Sequence, residues 1–353
     1  MDINSIANPL SRRGFLALAA AAAALTACGA PTTSGGGGAA GAAGTPLKAA
    51  TYIPPSYADL FPAFDIFFEA VKKASGGEIT FDMFDSGKLL AADQLVAGLT
   101  RGVADIVFQT SSYVSTTYPI TGAYELPFVN DGTEQTRRAL EIGGPLYELI
   151  NQEIGKKGLH LLGSMPTSPE YIWTIDKPIR KPEDLKGMRI RTAGNVEGET
   201  VKALGGSPVS MSSAEVYEAL QRGTIDGIIS YQGTIISRDL QNVLRYGTVG
   251  QFGLYSVDAY VRKDWFDDLE SAKQEALLVG ARAYLKDGTD HEIKVHKEEY
   301  VPKMLAAGLE LIEPTAAELQ AFEDSSANVY KWWRGRVGDE AAADKALELV
   351  KNA

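Results

Sequence analysis

The chain has 353 residues, 45% of them hydrophobic and 22% charged, which is enough apolar material for one large domain or two ordinary ones. A formal net charge of -11 argues against nucleic acid as a partner, because phosphate binding needs clustered Lys and Arg. The chain has one cysteine, Cys28, which excludes an intrachain disulfide and a cysteine-based metal site.

Residues 1–27 read as an export signal. Ser11-Arg12-Arg13-Gly14-Phe15-Leu16 supplies a charged head, and the apolar run Leu16–Ala27 is too short to span a bilayer as a helix. The arginine pair followed by Phe and Leu resembles the twin-arginine class of signals, with Ala17 standing where that class usually has Lys. Leu25-Thr26-Ala27-Cys28 resembles a lipobox, which implies cleavage before Cys28 and its acylation. Residues 28–46 are rich in Gly, Ala, Ser and Thr and read as a flexible leash between a lipid anchor and the folded part. Gly36, Gly38 and Gly41 match a G-x-G-x-x-G pattern, but no strand precedes them, so a dinucleotide loop is rejected.

From residue 47 the apolar pattern alternates between strand and helix. Leu47–Tyr52, Glu78–Phe84 and Ala104–Gln109 read as strands, separated by helices over Leu60–Lys73 and Ala91–Arg101. Phe61, Phe64, Phe67, Phe68 and Val71 recur at helical spacing in the first of these helices. Leu159–Ser164, Met188–Thr192 and Gly227–Tyr231 read as further strands, and Ser212 with Glu215 forms a capping box opening a helix over Ala214–Arg222. This repetition predicts an α/β protein with largely parallel sheets. Residues Asp267–Ala306 keep helical spacing for some forty positions, on the order of 60 Å of helix, with Gly288 as a point of interruption. That length suits a bridge between two lobes. Thr315 and Glu318 then cap a last helix carrying Trp332 and Trp333.

Three motifs carry a family resemblance: Leu126-Pro127-Phe128, the run from Lys181-Pro182-Glu183-Asp184-Leu185 to Arg191, and the run from Glu215-Val216-Tyr217 to Asp226-Gly227. With these elements in order over roughly residues 47–350, the chain resembles the solute-binding proteins of TRAP transporters, the DctP type. The resemblance implies a two-lobed, periplasmic-binding-protein-like α/β fold with a long helix bridging the lobes. The lobes are expected at residues 47–168 with 257–296 and at 169–256 with 297–353. It further implies an extracytoplasmic receptor, lipid-anchored through Cys28, that captures a small organic acid and delivers it to membrane permease subunits. No cofactor and no nucleotide site are expected.

In this family the Arg ending the Gly-x-x-x-Arg segment, here Arg191, clamps the ligand carboxylate; the planar guanidinium matches two carboxylate oxygens. Arg189, two residues earlier on the strand, reads as exposed or structural. Departures from the sialic-acid branch argue against a bulky sugar acid bound in that mode: Tyr171 replaces a second Arg, Ser230 an Asn and Ser213 an aromatic, while Glu125 precedes the Leu-Pro-Phe motif. The expected ligand is a monocarboxylate flanked by Tyr171, Trp173, Ser230 and Tyr231, with Gln109, Ser111, Tyr113, Tyr52 and Tyr57 as first-lobe contacts. A neutral or cationic ligand read by Glu125 and Glu170, or a lipoprotein that presents ligand to a receptor kinase, is the alternative. Catalysis is not expected: His291 and His296 are five apart, off the spacing of helical metal ligands, and His160 sits in an apolar strand.

Overall fold

Short runs rich in β-branched and aromatic residues pair into two sheets, one for each lobe. The computed structural model describes residues 45–353; the export signal, Cys28 and nearly all of the linker lie outside the described residues. The strands are β1 (Leu47–Thr51), β2 (Phe81–Phe84), β3 (Ile106–Thr110), β4 (Leu159–Pro166), β5 (Tyr171–Thr174) and β6 (Arg189–Thr192). They continue as β7 (Ser207–Ser210), β8 (Gly227–Ser230), β9 (Tyr246–Thr248), β10 (Ser256–Arg262) and β11 (Glu310–Ile312). The first sheet has the order β2-β1-β3-β10-β4 and the second β11-β9-β5-β8-β6-β7.

Both sheets are mixed, not largely parallel as the repetition suggested. β10 runs antiparallel between β3 and β4, and β5 runs antiparallel between β8 and β9. β5 and β10 each follow a point where the chain passes between lobes, so neither enters its sheet through the right-handed βαβ crossover that enforces parallel pairing.

Each sheet is apolar on both faces. In the first, Ala50, Val107, Leu161 and Tyr260 join one core cluster, while Ala49, Ile106, Phe108 and Val261 join the other. In the second, Trp173 and Ile228 face one way and Ile172, Ile190 and Ile229 the other. Helices therefore cover both faces of both sheets.

The helix over residues 271–306 runs without a break, on the order of 50 Å, and passes between the lobes. It changes pitch at two π-helical turns, Tyr284–Gly288 and His296–Tyr300. The second lies just before Pro302, whose missing N–H would otherwise interrupt the ladder. Gly288 does not interrupt the helix: it keeps helical dihedrals, and its lack of a side chain admits Met165 and Ala63. Gly280 plays the same part against the first long helix, Phe61–Ala74; a Cβ there would lie 2.2 Å from a Val71 methyl.

The capping box at Thr315 and Glu318 opens the helix Ala316–Val337, which is followed by one more, Glu340–Lys351. Ala343, Ala346, Leu347 and Val350 of that final helix share a core cluster with Leu146, Ile150 and Ile154 of the helix Pro145–Gly155, next to the first sheet. The final helix, expected with the second lobe as part of residues 297–353, lies beside the first sheet; its amphipathic spacing does not encode which lobe it covers.

Candidate functional site

The carboxyl ends of β1 and β3 from one sheet and of β6 and β8 from the other converge on one cleft, the position at which open α/β sheets bind ligands. Tyr52, Thr110 and Tyr113 come from the first sheet's side. Arg191, Ala193, Ser213, Ser230 and Thr234 come from the second, and Tyr255 from the segment entering β10. Together they line a nearly filled space with room for about 10 Å³.

Arg191 is 2% exposed. Its Nε and Nη2 both donate to the Met211 carbonyl, at 3.1 and 3.0 Å, and Nη2 also donates to the Tyr113 hydroxyl at 3.2 Å. Its Nη1 makes no hydrogen bond, and no carboxylate lies within 4.0 Å, among the described residues. Burial works against its charge, but Tyr113 and Glu197 outweigh that and hold its pKa above the usual arginine value. Arg189 has the opposite fate: exposed at the strand's start, it pairs with Asp226 at 2.6 Å.

The Tyr113 oxygen accepts a second bond, from the Ser213 backbone N–H at 3.2 Å. Its ring meets Tyr52 edge-on at 5.4 Å, and the Tyr52 hydroxyl pairs with Thr110 Oγ1 at 2.7 Å. Ser213 opens the helical segment capped by Ser212 and Glu215. The sequence-legible capping box therefore aims a backbone donor at the cavity wall.

Three buried carboxyl groups, Glu125, Glu170 and Glu197, form the electrostatic background to Arg191. Burial pushes Glu125 up to about 8, helped by Glu197 and Asp258; Ser115 donates to it at 3.0 Å. Burial, reinforced by Glu197 and Glu125, also raises Glu170 well above the carboxylate range. Glu197 is raised by burial too, but Arg191 and a 2.6 Å bond from the Ala193 N–H oppose the rise. Burial thus favours the neutral form of Glu125 and Glu170, while Arg191 holds its charge.

Of the residues expected from sequence, Arg191, Ser213 and Ser230 line the cavity. Tyr171 does not; it faces a separate groove with Phe128, Gln251 and Glu313, and its ring stacks on Trp173. Trp173 is core: fully buried, it packs with Val216 and Ile228 and donates its indole N–H to the Ser230 carbonyl at 2.8 Å. Tyr231 points away from the cavity to Asp59, to which it donates at 2.8 Å. Gln109 is held by Ala92 and the Thr110 N–H, and Glu125 lies behind the wall. Tyr52 and Tyr113 do reach the cavity, whereas Tyr57 does not line it and is buried in the core.

Sequence reasoning missed Thr110, Ala193, Thr234, Tyr255 and Arg238. Thr110 sits between two residues that were read, and Thr234 and Tyr255 belong to no motif. Arg238 stacks over Tyr57 at 5.3 Å, donates to the Tyr57 hydroxyl and donates to Ser213 Oγ, both at 3.3 Å. It joins one lobe to the other. No group of histidines and carboxylates suited to a metal occurs among the described residues.

The family DctP, described as bacterial extracellular solute-binding protein family 7, matches residues 53–335. The chain belongs to this family. DctP proteins are receptors for solutes, not enzymes. Among relatives, the uncharacterized protein YiiZ of Salmonella typhimurium is 28% identical over 195 residues, covering 55% of this chain and 57% of that protein. The alignment thus spans less than two thirds of that relative's length. The ectoine-binding periplasmic protein TeaA of Halomonas elongata is 26% identical over 282 residues, 78% of this chain and 82% of that one. Among solved structures, a TRAP periplasmic solute-binding protein from Roseobacter denitrificans with bound β-D-glucuronate superposes with a TM-score of 0.78. It is 23% identical and covers 87% of this chain and 99% of that one. The shared fold is that of the TRAP receptors.

Proposed function

We propose that this DctP protein is the extracytoplasmic receptor of a TRAP transporter. It captures a small organic acid, a monocarboxylate, on Arg191 and hands it to membrane permease subunits. The observation that carries the reading is a buried guanidinium on the wall of the interlobe cleft, with N–H groups still available and no carboxylate partner within 4.0 Å among the described residues. A ligand carboxylate would complete a charge-assisted pair that the protein itself leaves open. Arg191 is the one cation on the cavity wall among the described residues, which favours a single carboxylate. Structural relatives crystallised with glucuronate, (S)-2-acetolactate and succinate support an acid as the class.

A cationic ligand is the second reading, favoured by the carboxyl groups of Glu125, Glu170 and Glu197. Burial favours the neutral form of all three, which weakens the countercharge they offer. The paired arginine and the Leu-Thr-Ala-Cys segment favour export and anchoring through acylated Cys28, which places the receptor beside its permease.

The test is thermal-shift screening of residues 45–353 against organic acids and amines, followed by calorimetry of the hits on wild type and Arg191→Ala. The expected result is acid hits whose affinity falls roughly a hundredfold in the variant, on the order of 3 kcal/mol. Hits confined to amines, or acids held equally well by the variant, defeat the proposal.

A further inference from the structure

The cavity around Arg191 is small. Its usable volume, about 10 Å³, falls far below the range of about 300–1,000 Å³ that small-molecule sites occupy. That is room for about one water, so a carboxylate enters only if a wall residue moves. Directly beyond Tyr113 lies a second, larger groove of about 470 Å³, and Tyr113 and Ala193 line both spaces. Tyr113 is therefore a partition. Its ring is only half-buried, and its hydroxyl, not a packed core, holds it in place through Arg191 and the Ser213 N–H.

The outer groove has a graded lining. Its floor is apolar: Ala92, Val114 and Tyr118 are buried and Val96 is half-buried. Its rim, with Asp93, Thr100 and Thr116, is polar and exposed. Ser210, beyond Ala193, closes it from the other lobe, so the groove is interlobe space like the cavity it adjoins. Gln109 fixes the near wall, its amide donating to the Ala92 carbonyl and accepting from the Thr110 N–H.

We propose that the ligand site continues past Tyr113 into this groove, and that the ligand is a carboxylic acid whose apolar, ring-sized tail lies there while its carboxylate sits on Arg191. The inference rests on the carboxylate reading of Arg191. A turn of the Tyr113 ring joins the two spaces and frees Arg191 Nη2 and the Ser213 N–H for the two carboxylate oxygens. An anion at that point also meets the start of a capped helical segment, and a tail on the Ala92–Val114 floor removes apolar surface from water. Chain length and tail shape thus become the basis of selection, set by residues outside every motif of the family resemblance.

Calorimetry with propanoate and 3-phenylpropanoate tests this on wild type, Arg191→Ala, and two groove-filling variants at exposed positions on opposite walls, Ala97→Trp and Ser210→Trp. The expected result is 3-phenylpropanoate at least tenfold tighter than propanoate in wild type. In either Trp variant the ratio should fall to near one. A wild-type ratio near one, an unchanged ratio in folded Trp variants, or failure of wild type to bind either acid overturns the inference. If Arg191→Ala retains both acids, the carboxylate reading itself is wrong. If Arg191→Ala loses both and the Trp variants keep the ratio, only the groove assignment falls.

Discussion

Glu292, on the long helix, shows what burial does to a single carboxyl. Its Oε1 accepts from both the N–H and the hydroxyl of Ser168, each at 2.8 Å, and Oε2 has no partner among the described residues. Burial, with the charge of Asp59 adding to it, raises the group to about 8. A carboxyl whose folded pKa exceeds its unfolded value binds more protons in the folded state. Its contribution to stability is complete below the unfolded pKa of about 4.3 and is lost as pH rises toward 8. Glu292→Gln keeps the accepting oxygen and the neutral form. It should match wild type in urea denaturation near pH 4.5, and become more stable by on the order of a few kcal/mol by pH 9. Equal pH slopes for the two proteins would refute this. Glu125, also near 8, adds to the same wild-type slope.

At the scale of elements, contact between the long helix and the helix Phe61–Ala74 depends on Gly280. A Cβ there would stand 2.2 Å from the Val71 methyl and 3.0 Å from the Phe67 carbonyl oxygen. Alanine would gain up to ~1 kcal/mol in helix propensity and lose about 1–3 kcal/mol to overpacking, so Gly280→Ala should lower stability measured by denaturation. An unchanged midpoint would show that the helices slide apart at no cost. Such elements were legible to the extent that their signals were local. The Phe61–Val71 stripe, the Ser212 and Thr315 boxes and the strands around Ala50, Phe108 and Ile190 all appear where the pattern placed them, because spacing and capping act over a few residues. β10 and the antiparallel sense of β5 depend on partners far along the chain, which periodicity does not encode. The site divides in the same way. Arg191 and Ser213 were readable because motifs carry them, but whether Trp173 and Tyr231 face the cleft or the core is decided by Val216, Ile228 and Asp59, distant in sequence.

For the whole molecule, the two lobes meet closely enough to be tested by one methyl group. Gly194, following β6, packs on the other lobe so that a Cβ would lie 2.2 Å from the Ser112 carbonyl oxygen. Its backbone is extended, φ -129° and ψ -179°, so alanine adds no backbone strain. Gly194→Ala should therefore leave the separate lobes intact and oppose their closure, weakening ligand affinity tenfold or more with little change in urea midpoint. Unaltered affinity would mean that the Ser112 contact is not part of the ligand-holding state. The placement of β10 between β3 and β4 has a further effect, on biosynthesis. Until translation has passed residue 262, the nascent first sheet lacks the strand that joins its two pieces, and both β3 and β4 expose an unpaired edge. The first sheet is therefore completed only when β10 has emerged from the ribosome, late relative to the strands it joins.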